Sequence, residues 1–234
     1  MYCVTSVNIT KTVSSLEQLV LESQLFYKWK RNLESNRVII ERLEILSVVS
    51  RDHKSFYAAM IDCDLLTPEG YRIPRCIILR GDSVVVIPVL HCFEDGEIYT
   101  LMVKQRRIID GNLSLEFPGG MLDPGIDDPA SMAIIEVMEE IGIHVEKEEI
   151  HLLTPTPLKV CESLMDEVVN FFYFEKNISN DFLDKAEGKR TGCHEDNEFL
   201  LVSVQNIKNV FKIPSFASFV AINLLERALQ QKFE

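Results

Sequence analysis

The chain of 234 residues predicts an α+β fold, and three observations carry that reading. Runs of strand-like apolar residues occur on both sides of a few segments with helical spacing. One of those helical segments carries a start signal and a stop signal at its two ends. No internal repeat, low-complexity tract or apolar run of about 18 residues interrupts the pattern, which leaves packed layers and no membrane-spanning helix. The expected organisation is a smaller region over residues 1–80, a helix followed by strands, and a main domain over 81–234.

Residues 15–34 place Leu16, Leu19, Val20, Tyr27 and Leu33 at roughly helical spacing, with Trp29 nearby, and predict an amphipathic helix. RVIIERLEILSVVS (37–50) and FYAAMIDCDLL (56–66) read as strands, the second ending at the turn TPEG (67–70). IPRCIILR (73–80) and SVVVIPVLHC (83–92) flank Gly81-Asp82 and are expected to form a hairpin. EIYTLMVKQRR (97–107) follows the Asp95-Gly96 turn as another strand. EFPGGMLDPG (116–125) is a strand end running into a Gly/Pro-rich loop. The next helix is bounded by Asp128 as N-cap, Pro129 at the first helical position and Gly142 as the left-handed stop. VVNFFYFEK (168–176) and EFLLVSV (198–204) read as strands around a polar, loop-like stretch at 177–197. Pro214 opens a C-terminal helix.

Composition excludes several function classes. A formal net charge of −12 with no basic stripe argues against nucleic acid as a partner, because nothing would neutralise its phosphates. An acidic chain can still bind a small polyanion when a divalent metal mediates the contact. The six cysteines (Cys3, Cys63, Cys76, Cys92, Cys161 and Cys193) contain no C-x-x-C pair, as expected of reduced thiols in a cytoplasmic protein. The first residues lack the apolar core of a secretion signal. The histidines at 53, 91, 144, 151 and 194 show no metal-ligand spacing.

The segment EVMEEIGI (136–143) is where the chemistry concentrates. At about 100° per residue, Glu136, Glu139 and Glu140 fall within a third of the helix circumference. Ala130, Ala133, Ile134, Val137, Met138 and Ile141 occupy the opposite side. Like charges at these spacings repel by a few tenths of a kcal/mol on a helix, and residue 135 is Ile, not a cation. The Gly/Pro-rich loop just upstream can turn backbone carbonyls toward such a row. Oxygen-only ligands of this kind suit Mg²⁺ or Mn²⁺, which commonly bridge to phosphates.

The stretch GMLDPGIDDPASMAIIEVMEEIGI resembles the Nudix box, G-x5-E-x7-R-E-U-x-E-E-x-G-U, where U is a bulky aliphatic residue. Gly120 opens it, and Glu136, Val137, Glu139, Glu140, Gly142 and Ile143 fill its later positions. The loop is one residue longer than the standard box, so Ile126 or Asp127 stands where the first Glu is expected, and Ile135 replaces the box arginine. The longer loop is similar to that of the ADP-sugar pyrophosphatase branch, as are LFYKWKRNLES, IPRCIILRGDSVVVIPVL, KQRR and GKRTGCHEDNEFLLV elsewhere in the chain.

That resemblance implies an α/β/α sandwich with a mixed central sheet and an N-terminal region that dimerises. It also implies metal-dependent hydrolysis of the diphosphate bond of ADP-glucose or ADP-ribose to AMP and a sugar phosphate. The implied metal ligands are Glu136, Glu140 and Glu198 with the backbone carbonyl of Gly119, and Glu139 lies close by. Glu195 or Asp196, in the second acidic loop HEDNEF, is the implied general base. Arg107, Met121 and Glu167 fall at substrate-binding positions. Two departures, Ile135 and the segment VCESL (160–164), support the alternative of a degenerate module that binds nucleotide sugars with little or no turnover.

Overall fold

The alternation of apolar residues resolves into two separate sheets, each with its own helices and core. The computed structural model describes residues 15–50, 55–73, 76–123, 125–192 and 200–231. Contacts divide the chain into one unit of Met1–Asp82 with Lys159–Val168 and another of Ser83–Leu158 with Val169–Glu234.

The first unit contains α1 (Ser15–Leu21), α2 (Gln24–Ser35), β1 (Ile39–Ser50), β2 (Phe56–Leu66), β3 (Arg72–Ile73) and β4 (Cys76–Leu79). The single helix expected over 15–34 is broken at Ser23. The Ser23 backbone is extended, and its Oγ accepts a 3.1 Å hydrogen bond from the Phe26 N–H while donating one of 2.7 Å to the Val20 carbonyl. A serine that closes one helix and caps the next competes with a continuous ladder. Phe26 and Trp29 of α2 join Val20 over the buried side of β2, where Ala59, Ile61, Cys63 and Leu65 recur at every second residue.

The hairpin expected across Gly81-Asp82 does not form. β4 pairs with β2, whereas β5 (Ser83–Cys92) belongs to the other sheet. The reason lies in the segment 159–168. Ile78 N–H donates to the Leu164 carbonyl at 2.7 Å, and the Asp166 carboxylate accepts the Arg80 and Gly81 N–H groups at 2.8 and 3.3 Å. These bonds satisfy the β4 exit with a distant segment in place of a neighbouring strand. Gly81 sits at φ 89°, a conformation that favours glycine.

The second unit adds β6 (Ile98–Arg106), β7 (Leu113–Glu116), β8 (Gly119–Met121), α3 (Pro129–Ile141), β9 (His151–Leu152), β10 (Leu158–Lys159) and β11 (Val168–Ile178). It continues with α4 (Asn180–Ala186), β12 (Arg190–Thr191), β13 (Leu200–Asn206), a 3-10 turn at Ile207–Lys212 and α5 (Phe216–Gln231). The sheet runs β11-β5-β6-β13-β12, with β8 also on β5, β7 on β6 and β9 on β11. β11 and β5 are parallel, and β5–β6, β5–β8 and β6–β13 are antiparallel. The sheet is therefore mixed.

Period-two alternation assigns each side chain a layer. Val84, Val86 and Leu90 of β5, Leu101 and Val103 of β6, and Phe172 and Phe174 of β11 pack with Met132, Ala133, Val137 and Ile141 of α3. The intervening Ile87, Val89, Met102 and Phe171 pack with Ala221, Ile222 and Leu225 of α5. Helices thus cover both faces of the sheet, giving the α/β/α sandwich over a mixed sheet. The loop expected over 177–197 contains α4 and β12 instead. Ser179 caps α4 by accepting the Phe182 N–H at 3.2 Å, but seven residues are too few to display helical periodicity in sequence. Among the described residues no helix is long and apolar enough to cross a membrane. Cys63, Cys76, Cys92 and Cys161 are free thiols.

Candidate active site

The acidic helix is fixed at both ends. Asp128 accepts the Ala130 N–H at 3.2 Å and the Ser131 hydroxyl at 2.8 Å, and the Lys147 ammonium lies 2.7 Å from the same carboxylate. Gly142 closes α3 in the left-handed region at φ 70°, donating to the Met138 carbonyl at 3.1 Å. Burial of Ala133, Val137 and Ile141 sets the rotation of the helix. Glu136 and Glu140 come to its partly buried edge, while Glu139 is exposed.

The strand that meets this edge carries no side chain at the point of contact. β8 pairs with β5 in the register Val85↔Gly119, Val84↔Gly120 and Ser83↔Met121. A Cβ on Gly119 would stand 2.2 Å from the Val84 carbonyl oxygen, and one on Gly120 would stand 2.0 Å from Glu136 Oε1. The Glu136 carboxylate therefore lies directly over the Gly120 backbone. Gly119 N–H donates to Glu140 Oε2 at 2.9 Å. Three residues assigned to metal binding, Gly119, Glu136 and Glu140, are thus brought together, with Met121 half-buried at the end of the same strand.

Glu140 sits in surroundings that disfavour its charge. Burial, and then the neighbouring Glu136 carboxylate, push Glu140 up to about 8. The Gly119 N–H and the positive charge of Arg107 pull in the opposite direction without overcoming them. Arg107 is held by Glu116 through two hydrogen bonds, Nε to Oε1 at 2.9 Å and Nη2 to Oε2 at 2.6 Å. Burial raises Glu116, but the hydrogen bonds from Arg107 and Ser114 and the Arg107 charge outweigh it and hold the carboxyl below its ordinary value. Glu116 is a neighbour of this site that the sequence analysis did not single out. Its signal was its position three residues before Gly119 in a strand that pairs with the one leading to Arg107.

The residues that precede the second acidic loop are tied to the acidic helix. Thr191 Oγ1 donates to the Glu140 carbonyl, and Gly192 N–H donates to the Glu139 carbonyl at 3.3 Å. On the return side Leu200 pairs with Thr191. Glu195, Asp196, Glu198 and His194 themselves lie outside the described residues. Glu167 belongs to the first unit, where its nearly buried carboxylate lies 3.4 Å from Arg80 Nε.

Among the described residues no three His, Cys, Asp or Glu side chains gather as a complete cation site. The donors present are the Glu136 and Glu140 carboxylates, with the Gly119 backbone beside them. An oxygen-only set in which one carboxyl keeps its proton near neutrality fits a hard divalent cation, whose charge would supply what the pair lacks.

Nudix hydrolase 14, chloroplastic, of Arabidopsis thaliana is 29% identical to this chain over 241 residues, covering 96% of this chain and 77% of that one. The chain is thus similar to a Nudix hydrolase over nearly its whole length. Putative nudix hydrolase 2 of Caenorhabditis elegans is 35% identical over 72 residues, 31% of each chain. The crystal structure of an ADP compounds hydrolase matches with a TM-score of 0.58 at 16% identity, covering 83% of this chain and 95% of that one, a likeness of fold. No family model matches the chain.

The two glycines of β8 are expected to fail differently. Gly119→Ala meets backbone and should cost about 1–3 kcal/mol of stability, read by denaturant unfolding. Gly120→Ala meets the mobile end of Glu136 and should leave stability near wild type while weakening Mn²⁺ binding about tenfold, read by titration. Equal loss of stability in both variants would refute the assignment of contacts.

A pH dependence follows from Glu140. Its raised value means that the folded chain binds more protons than the unfolded one between the ordinary 4.5 and about 8. Metal-free stability therefore falls as pH rises through that window, and the loss is complete above it. Glu140→Gln, which mimics the protonated form, should melt several degrees higher than wild type above pH 8 and level with it below 4.5. A melting difference independent of pH counts against it.

Proposed function

We propose that the chain is a divalent-metal-dependent hydrolase that cleaves the diphosphate bond of an ADP-sugar, ADP-glucose or ADP-ribose, to AMP and a sugar phosphate. The observation that carries this reading is the Glu136–Glu140 pair closed over Gly119-Gly120, with Arg107 acting on the same charges. The fold likeness to an ADP compounds hydrolase supports the same substrate class.

Glu136 and Glu140, the Gly119 carbonyl and Glu198 would hold Mg²⁺ or Mn²⁺. When bound, the cation neutralises the diphosphate and lowers the pKa of a coordinated water. The chain's own groups do the rest. Arg107 offers a permanently charged planar fork to a phosphate. Met121 lines the nucleotide pocket, and Glu167 contacts substrate. Glu195, or alternatively Asp196, would take the proton of the attacking water, with Glu139 beside Glu140 on α3. The new bond joins the water oxygen to phosphorus, and the bridging P–O bond breaks. The region 1–80 serves as a homodimer contact, and the working compartment is the cytoplasm.

Incubation with Mg²⁺ and ADP-glucose or ADP-ribose should release AMP, followed by chromatography. Absence of turnover across a panel of nucleoside diphosphate sugars rejects the proposal.

One observation favours a second reading, a module that binds nucleotide sugars with little turnover. Ile135, at 37% exposure, precedes Glu136 where a cation would offset the carboxylate row. Losing one orienting ion pair removes about 1–3 kcal/mol of positioning, roughly ten- to hundredfold in rate. Ile135→Arg is expected to raise kcat by about tenfold or more. A variant that binds ADP-sugar yet stays silent supports the module.

A further inference from the structure

Glu116 has a geometry that the roles above leave unused. In the β6–β7 ladder it stands opposite Val103, and cross-strand partners project to the same face of a sheet. Val103 lies in the core beneath α3, so Glu116 also projects toward the face that α3 covers. That is the face bearing Glu136 and Glu140. Arg107, at the end of β6 and about half exposed, reaches back to Glu116 and engages it through both carboxylate oxygens.

A long arginine near two carboxylates of one helix has an alternative place to go. It carries about 2 kcal/mol of rotamer entropy, and attraction to Glu140 and Glu136 would draw it onto the pair. There it would withdraw its charge from an incoming phosphate. Two parallel charge-assisted bonds fix the plane of the guanidinium as well as its location, which one bond cannot do.

We propose that Glu116 is a positioning residue for substrate binding, clasping Arg107 on the α3 side of the sheet so that its guanidinium faces the diphosphate. This rests on the reading of Arg107 as a diphosphate-binding residue. Glu116 acts through Arg107 and makes no contact with the reacting atoms.

The test is a double-mutant cycle of Glu116→Gln, Arg107→Met and both together, each checked for folding by its melting temperature. KM and kcat are read with ADP-ribose and Mg²⁺, and the Kd of ADP-ribose is read by calorimetry in metal-free buffer. Glu116→Gln should raise KM and Kd about tenfold while changing kcat less than about threefold. In the Arg107→Met background the same change should add less than about twofold, because the residue it positions is gone. Multiplicative effects in the double variant, an unchanged KM, or a loss confined to kcat would each overturn the proposal. A wild-type chain that turns over ADP-ribose while Glu116→Gln keeps its KM removes this inference alone. A wild-type chain that neither binds nor hydrolyses any ADP-sugar removes it together with the proposed function.

Discussion

The pairing of Gly119–Met121 with Ser83–Val85 is the contact on which the carboxylate cluster depends. β5 is buried on both faces, so its position is set by the cores above and below it. A strand added there is placed by backbone hydrogen bonds and has little freedom to drift. At Gly119 the approach to Val84 leaves no room for a side chain. At Gly120 the space a side chain would take is filled from the other side by Glu136. The same two residues therefore register a strand against the sheet and a helix against the strand. Positioning on rigid elements of this kind holds functional groups more closely than a loop does.

Electrostatics and packing oppose each other at this place. Hydrophobic burial of one side of α3 draws Glu140 inward, where desolvation and Glu136 both disfavour its charge. The fold accommodates the conflict locally, with the Gly119 N–H, the nearby Arg107 and a retained proton. Local inconsistency of this sort, inside an otherwise consistent sandwich, is characteristic of functional sites.

Strong local signals were legible in the sequence. The bounds of α3 were written in Asp128, Pro129 and Gly142, and β5 and β11 in unbroken β-rich runs. What escaped depended on partners far along the chain. The β4–β5 hairpin read well locally, yet Leu164 and Asp166 take the groups it would have used. α4 escaped because a helix of two turns has too little periodicity to read. At the site, the Glu136–Glu140 edge followed from spacing on one helix. The Glu116–Arg107 clasp did not, because it needs the register of β6 with β7, and a one-residue slip would turn Glu116 to the other face.

The bond between Asp166 and the Arg80–Gly81 turn has a consequence for synthesis. The two ends of that contact lie 86 residues apart in sequence. The hairpin of β1 and β2 leaves the ribosome early, but the carboxylate that completes the exit of β4 arrives only after the acidic helix has been made. Chains are extended at about 5–20 residues per second, far more slowly than hairpins form. The N-terminal unit must therefore wait several seconds, with its last polar groups met by water, for a segment delivered from beyond the middle of the other unit. Translation speed through that stretch sets how long the nascent first unit remains unfinished.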